Sequence, residues 1–262
     1  MPHADVNRQR LFYEDIGEGD DVIVFSHGYF MSHGMFDAQV AALRDRWRCI
    51  VWDERGHGQT ETTPESFTYW DSASDLLGLL DHLGVQGAVL AGMSQGGYLS
   101  LRAALTAPER VRALVLMDTQ PGVEDPEKAA GYDQLIEAWL SPDGPPQEVL
   151  DTVAAIIIGP GYADTARWMD AAKRIPPATV RQVYSTLMTR EDDVTARLAE
   201  LTMPALVIHG EQDLAIDLDT ARWFADALPD GELVVIPGAG HAANLTHSSA
   251  VNPPLEAFLA RV

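Results

Sequence analysis

Two apolar patterns alternate along the first 120 residues. Asp21 to Ser26 (DVIVFS), Cys49 to Trp52, Ala88 to Met93 (AVLAGM) and Val111 to Met117 are short, near-continuous apolar runs. Runs of that length closed by turns predict strands buried on both faces. Leu11 to Asp15 reads as another short strand. Other apolar positions recur at helical spacing. Met35 to Asp45 sets Phe36, Val40 and Leu43 on one face. Tyr69 to Leu83 aligns Leu76, Leu79, Leu80 and Leu83 and stops at Gly84. Gln95 to Leu105 is a third helix.

The texture changes after residue 120. Residues 121–200 hold many of the prolines and no clear buried strand. Amphipathic helices are expected there over Tyr132 to Leu140, Gln147 to Ile158, Ala163 to Lys173 and Ala178 to Met188. Alternation then resumes: strand Ala205 to His209, helix Leu218 to Leu228, strand Glu232 to Ile236, and a last helix from Pro253 capped by Asn252. The expectation is an α/β chain with a doubly wound, mostly parallel sheet. Residues 1–120 and 201–262 form the core, and 121–200 form a helical cap inserted between two strands.

Composition narrows the function classes. Asp plus Glu number 39 against 18 for Lys plus Arg, a formal charge of −21 over 262 residues. Such a surface repels nucleic acid and anionic membranes, and neither is expected as a partner. No apolar run approaches the roughly 20 residues of a membrane span. The N-terminal MPHADVNRQR carries no apolar stretch, so no signal peptide is expected and a cytoplasmic location is. The single cysteine, Cys49, excludes an internal disulfide and a cysteine-based zinc cluster.

Candidate chemistry starts at Gly92-Met93-Ser94-Gln95-Gly96, a G-x-S-x-G between a predicted strand and a predicted helix. A serine on so sharp a turn takes a positive φ, and the glycines on either side avoid collision. Its hydroxyl is exposed, with a helix N-terminus behind it. A serine nucleophile needs a base. His241, in PGAGHAAN after a late strand, is the best placed of eight histidines. His209 ends a strand and reads as buried, His27 and His57 sit in turns, and His3, His33, His82 and His247 read as solvated. Gly238 to Ala243 also matches a dinucleotide fingerprint, but only about 20 residues follow, too few for a βαβ unit.

The base needs an orienting acid. Asp213 in HGEQD leads, since it gives the chain order Ser, Asp, His. Asp118 is its rival, and Asp217 reads as a helix cap. The oxyanion needs backbone donors: Gln95 N–H, and Tyr29 N–H after His27-Gly28, with Phe30 a weaker choice.

SHGYFMSHGMF, WDERGHG, GMSQGG, HGEQD and PGAGH, in that order, resemble the serine α/β-hydrolase family over almost everything outside residues 121–200. The nearest members in kind are small esterases, enol-lactonases and cofactor-free haloperoxidase-like enzymes. The resemblance implies catalytic roles for Ser94, His241 and Asp213, and an oxyanion hole of Tyr29 and Gln95 N–H. It implies no metal and no organic cofactor. The expected reaction is hydrolysis of a small-molecule carboxylic ester or lactone through an acyl-enzyme. Carbon–carbon bond hydrolysis, perhydrolysis and slow-turnover ligand sensing stand as alternatives on the same residues. Phe30, Trp139, Trp168 and Met169 are the candidate pocket wall, which favours neutral, apolar substrates. Arg167, Lys173, Arg174 and Arg181 are the cations that would serve an anionic one. A homo-oligomer is compatible with all of this.

Overall fold

A strand with apolar residues at consecutive positions sends alternate side chains into two layers. In β3 (Asp21–Ser26), Ile23 and Phe25 enter one layer while Val22 and Val24 enter the other. The computed structural model describes residues 2–189 and 193–262. Among them, β3 belongs to an eight-stranded sheet with β1 (His3–Val6), β2 (Gln9–Ile16), β4 (Trp47–Trp52), β5 (Ala88–Met93), β6 (Val111–Met117), β7 (Ala205–Gly210) and β8 (Gly231–Ile236). The order is β1-β2-β4-β3-β5-β6-β7-β8. β1 and β2 pair antiparallel, as do β2 and β4. From β4 to β8 every pair is parallel.

Helices cover both faces. α1 (Asp37–Leu43) packs on the Phe25 face. α2 (Tyr69–His82), α3 (Gln95–Thr106) and α8 (Leu218–Ala227) pack on the Val24 face. α4 (Pro126–Trp139), α5 (Gln147–Ile157), α6 (Thr165–Ala172) and α7 (Pro177–Met188) lie in sequence between β6 and β7. They extend the Phe25-side layer through Ile136, Val153, Trp168 and Val183. α9 (Ala243–Thr246) and α10 (Ser248–Leu259) close the chain. No helix among the described residues is long and apolar enough to cross a membrane.

The strand order reverses around β3, which has β4 on one side and β5 on the other. Helices α1 and α2 therefore cross opposite faces, and the loops after β3 and β5 diverge. That opens a crevice at the C-terminal ends of the strands, where ligands of such sheets bind.

Three local expectations need correction. β1 was not anticipated; it pairs with β2 through a turn at Asn7 and Arg8, whose φ values are 47° and 63°. α10 begins at Ser248, not Pro253. Asn252 is therefore no cap: its amide donates to Ala38 O at 3.1 Å and its oxygen accepts from Gln39 Nε2 at 2.8 Å. α4 begins at Pro126, ahead of Tyr132, because Asp125 accepts from Glu127 N and Lys128 N and caps it. Asp217 caps α8 as expected, accepting from Thr220 N at 2.7 Å.

Candidate active site

The turn from β5 into α3 is as tight as its glycines suggest. Ser94 stands at φ 51°, ψ −115°, a region a non-glycine residue seldom holds. A Cβ on Gly92 would lie 2.2 Å from Gly96 O, and one on Gly96 would lie 2.0 Å from Ser26 O. The turn closes only with glycine at both places. Ser94 N donates to Met117 O at 2.9 Å, tying the turn to β6.

Three side chains from separate loops meet there. His241, after β8, brings Nε2 to 3.0 Å from Ser94 Oγ. Its Nδ1 lies 2.8 Å from Asp213 Oδ2, on the loop after β7. Asp213 Oδ1 accepts from Ala215 N at 2.7 Å and Ile216 N at 3.0 Å. Burial alone would raise the Asp213 carboxyl. The His241 ring, then His209 and the Ile216 N–H, outweigh it and hold the group below the usual carboxylate range. An ionised Asp213 keeps the proton on His241 Nδ1 and leaves Nε2 free to accept from Ser94.

Asp118 takes a different part. It is fully buried at the end of β6, with φ 46°. Its Oδ1 accepts from Gly210 N at 2.8 Å and its Oδ2 from Ala243 N at 3.1 Å. Burial, then the charge of Asp213, pushes it well above the ordinary value. Asp118 thus pins β7 to the chain just beyond His241. His209, also fully buried, faces both acids at 3.8 and 3.4 Å. Asp118, His209 and Asp213 bring ligand-type atoms within 4.8 Å of one another. Both Asp118 oxygens, both Asp213 oxygens and His209 Nε2 already meet protein partners, so the cluster reads as a hydrogen-bond brace.

The loop after β3 lies against the serine. A Cβ on Gly28 would stand 2.4 Å from Met93 Sδ and 3.7 Å from Ser94 Cβ. Tyr29 follows, stacked on Phe30 at 4.1 Å, and Phe30 takes φ 61°. Gln95 is the first residue of α3, so its N–H has no acceptor within the helix.

A cavity of about 100 Å³ rises from Ser94 and His241. Phe30 lines it, as do Ile136, Val153, Ile156, Ile157 and Leu187. The other three wall candidates do not. Trp139 backs Phe30 with ring centres 4.9 Å apart, Met169 is buried in the packing of α6, and Trp168 faces a separate cleft. An apolar helix face can point to a cavity or to a neighbouring helix, and periodicity does not distinguish them. Glu124 also lines the cavity, with Lys128 Nζ 3.8 Å from its carboxylate. None of the four candidate cations lines this cavity: Arg181 pairs with Glu137, Lys173 with Asp170, Arg167 lies over the Trp168 ring, and Arg174 lines the separate cleft.

Sequence reasoning passed over the Asp53-Glu54 pair that follows β4. Asp53 accepts from His33 N at 2.7 Å and Gln59 N at 2.8 Å, and meets His33 Nδ1 at 2.9 Å. His33 is therefore anchored, not solvated. Two acids directly after a buried strand were the available signal.

The alpha/beta hydrolase fold family model matches residues 21–248. A putative non-heme chloroperoxidase of Synechocystis sp. is 29% identical, with 99% of this chain and 100% of that protein covered. The structure of a thermophilic esterase from Thermogutta terrifontis superposes with a TM-score of 0.88 at 25% identity, over 99% of this chain and 98% of that one. An enol-lactonase from Burkholderia xenovorans LB400 gives a TM-score of 0.87 at 25% identity, over 99% of this chain and all of that one. The chain belongs to the alpha/beta hydrolase fold family.

Proposed function

We propose, with that membership as premise, that the chain is a serine hydrolase cleaving a carboxylic ester or lactone through an acyl-enzyme. The observation that carries the reading is the line Asp213–His241–Ser94, at 2.8 and 3.0 Å, under an apolar cavity. Ser94 Oγ attacks the carbonyl carbon while His241 Nε2 takes its proton. Asp213 holds His241 Nδ1–H and stabilises the imidazolium. The N–H groups of Tyr29 and Gln95 receive the oxyanion. His241 then protonates the leaving alkoxide, and water repeats the sequence to release the acid.

Residues 121–200 act as a cap that roofs the acyl group. The mostly apolar lining, the presence of Glu124 in it and the pairing of Arg181 and Lys173 with surface acids support a neutral, apolar substrate. A panel of p-nitrophenyl esters and simple lactones tests the reading, with a phosphonate as covalent label. Saturable hydrolysis with the label on Ser94 is expected. No turnover across the panel, or a label elsewhere, overturns it. A size-matched ester bearing a free carboxylate should have a lower kcat/KM than its neutral counterpart.

A further inference from the structure

The two loops that would supply the oxyanion donors come from different strands, β3 and β5, and both are held by one residue after β4. Glu54 N–H donates to His27 Nε2 at 3.0 Å. With Nε2 accepting, Nδ1 carries the proton and donates to Gly28 O at 2.8 Å. That fixes the Gly28–Tyr29 peptide, which carries the Tyr29 N–H. The Glu54 side chain runs the other way. Its Oε2 accepts from Gln95 Nε2 at 2.6 Å, and Gln95 Oε1 accepts from Tyr69 O–H at 3.4 Å. Glu54, Gln95 and His27 are all at least 98% buried. Glu54 Oε1 is shielded from water without a hydrogen-bond partner, and Ser72 and Asp75 of α2 stand near the carboxyl.

We infer that Glu54 is a positioning residue for the proposed hydrolysis: its backbone N–H and its carboxyl, acting through His27 and Gln95, set the two oxyanion donors at one fixed separation. The inference rests on the serine-hydrolase reading above. The physical need is plain. An oxyanion donor is effective only within a few tenths of an ångström of its optimum. Ser94 itself is held at a strained φ, so the residue after it needs an anchor that the turn does not supply. A buried carboxyl also stands at a cost unless its partners return something for it. An apolar side chain would fill the same volume but leave Gln95 free.

Four variants test this: Glu54→Ala, Glu54→Gln, Gln95→Ala and the double Glu54→Ala/Gln95→Ala. Each is read for kcat and KM on one neutral p-nitrophenyl ester, and for the rate of phosphonate labelling at Ser94. Glu54→Ala and Gln95→Ala should each lower kcat and the labelling rate by about 10- to 100-fold, with KM within about threefold. The double should be no worse than the poorer single, because both cut one link. Glu54→Gln keeps an oxygen for Gln95 Nε2 and should stay within about threefold of the parent. Parent protein labelled at Ser94, with both alanine variants within twofold in kcat, overturns the role of Glu54 alone. Parent protein unlabelled at Ser94 overturns the serine-hydrolase reading, and this inference with it. If Glu54→Ala does not fold, Gln95→Ala severs the same bond from the other side and decides the matter.

Discussion

The strand edge and the helices between β6 and β7 are built on opposite principles. At the edge, Ser94, His241, Asp118 and Glu54 are nearly or fully buried, and each makes a side-chain hydrogen bond of 2.6–3.0 Å. The helical segment keeps two ion pairs at the surface, Arg181–Glu137 and Lys173–Asp170, and offers the cavity mostly apolar groups beside Glu124, Tyr132 and Tyr184. Buried hydrogen bonds are geometric and unforgiving, while aliphatic walls tolerate exchange of shape. The edge is therefore suited to fixing the reaction and the segment to choosing the substrate.

The largest expected effect breaks the edge at its centre. Ser94→Ala should lower kcat by at least ~10³. Tm should change little, because alanine removes only the Ser94 Oγ bond to His241 Nε2. Residual activity within tenfold of the parent would remove the serine from the chemistry.

The two acids sharpen the comparison within the edge. Asp213→Asn deprives His241 Nδ1 of its anionic acceptor and should cost about 10³–10⁴ in kcat. Asp118→Asn sets an NH2 against the N–H of Ala243 or Gly210. It should cost roughly 1–3 kcal/mol of stability, read as a lower Tm, with the smaller loss in kcat. The reverse ranking in kcat would exchange their roles.

The segment should respond differently. Ile157→Asp places a charge in the aliphatic wall and should raise KM for a neutral ester by about tenfold, or ~1.4 kcal/mol, with kcat within threefold. A collapse of kcat at unchanged KM would mean that the segment takes part in the chemistry.

The smallest effect on turnover is expected of Glu54→Gln, whose mark is instead a pH dependence of stability. Burial pushes the Glu54 carboxyl up to about 8, with Asp75 adding to the rise and Arg55 opposing it. Its folded pKa is raised above the unfolded value near 4.5, so the folded state holds the extra proton between them. Stability from this group is thus lost as pH rises from about 4.5 to 8. Glu54→Gln should remove that slope, its Tm advantage growing up to pH 8 and levelling above. A Tm difference independent of pH would place the carboxyl in an ordinary environment.

Much of the edge was legible because its demands are local. G-x-S-x-G needs glycine on both sides of Ser94, and a buried run followed by a turn marks each strand end. His241 stood out by its loop after a late strand, and Asp213 by preceding it in the chain, without knowledge of their distance. What escaped depends on contacts across the sequence. The β1–β2 turn uses Asn7-Arg8, which lacks the glycine that announces such turns. Trp139, Trp168 and Met169 are apolar in sequence, yet only the folded packing decides whether they meet a cavity or a helix. Glu54 and Gln95 are 41 positions apart, and nothing in their spacing announces their bond.

Cys49 offers a practical handle. It is the chain's one cysteine, it is fully buried in β4, and burial pushes its thiol up to about 12. At neutral pH it stays a shielded thiol, inert to alkylating dyes and spin labels. A cysteine introduced on the outer face of α4 or α7 would then be the sole reactive site of the folded protein. Distances from that probe to a second on α8 would report any movement of the helical segment without a background to subtract.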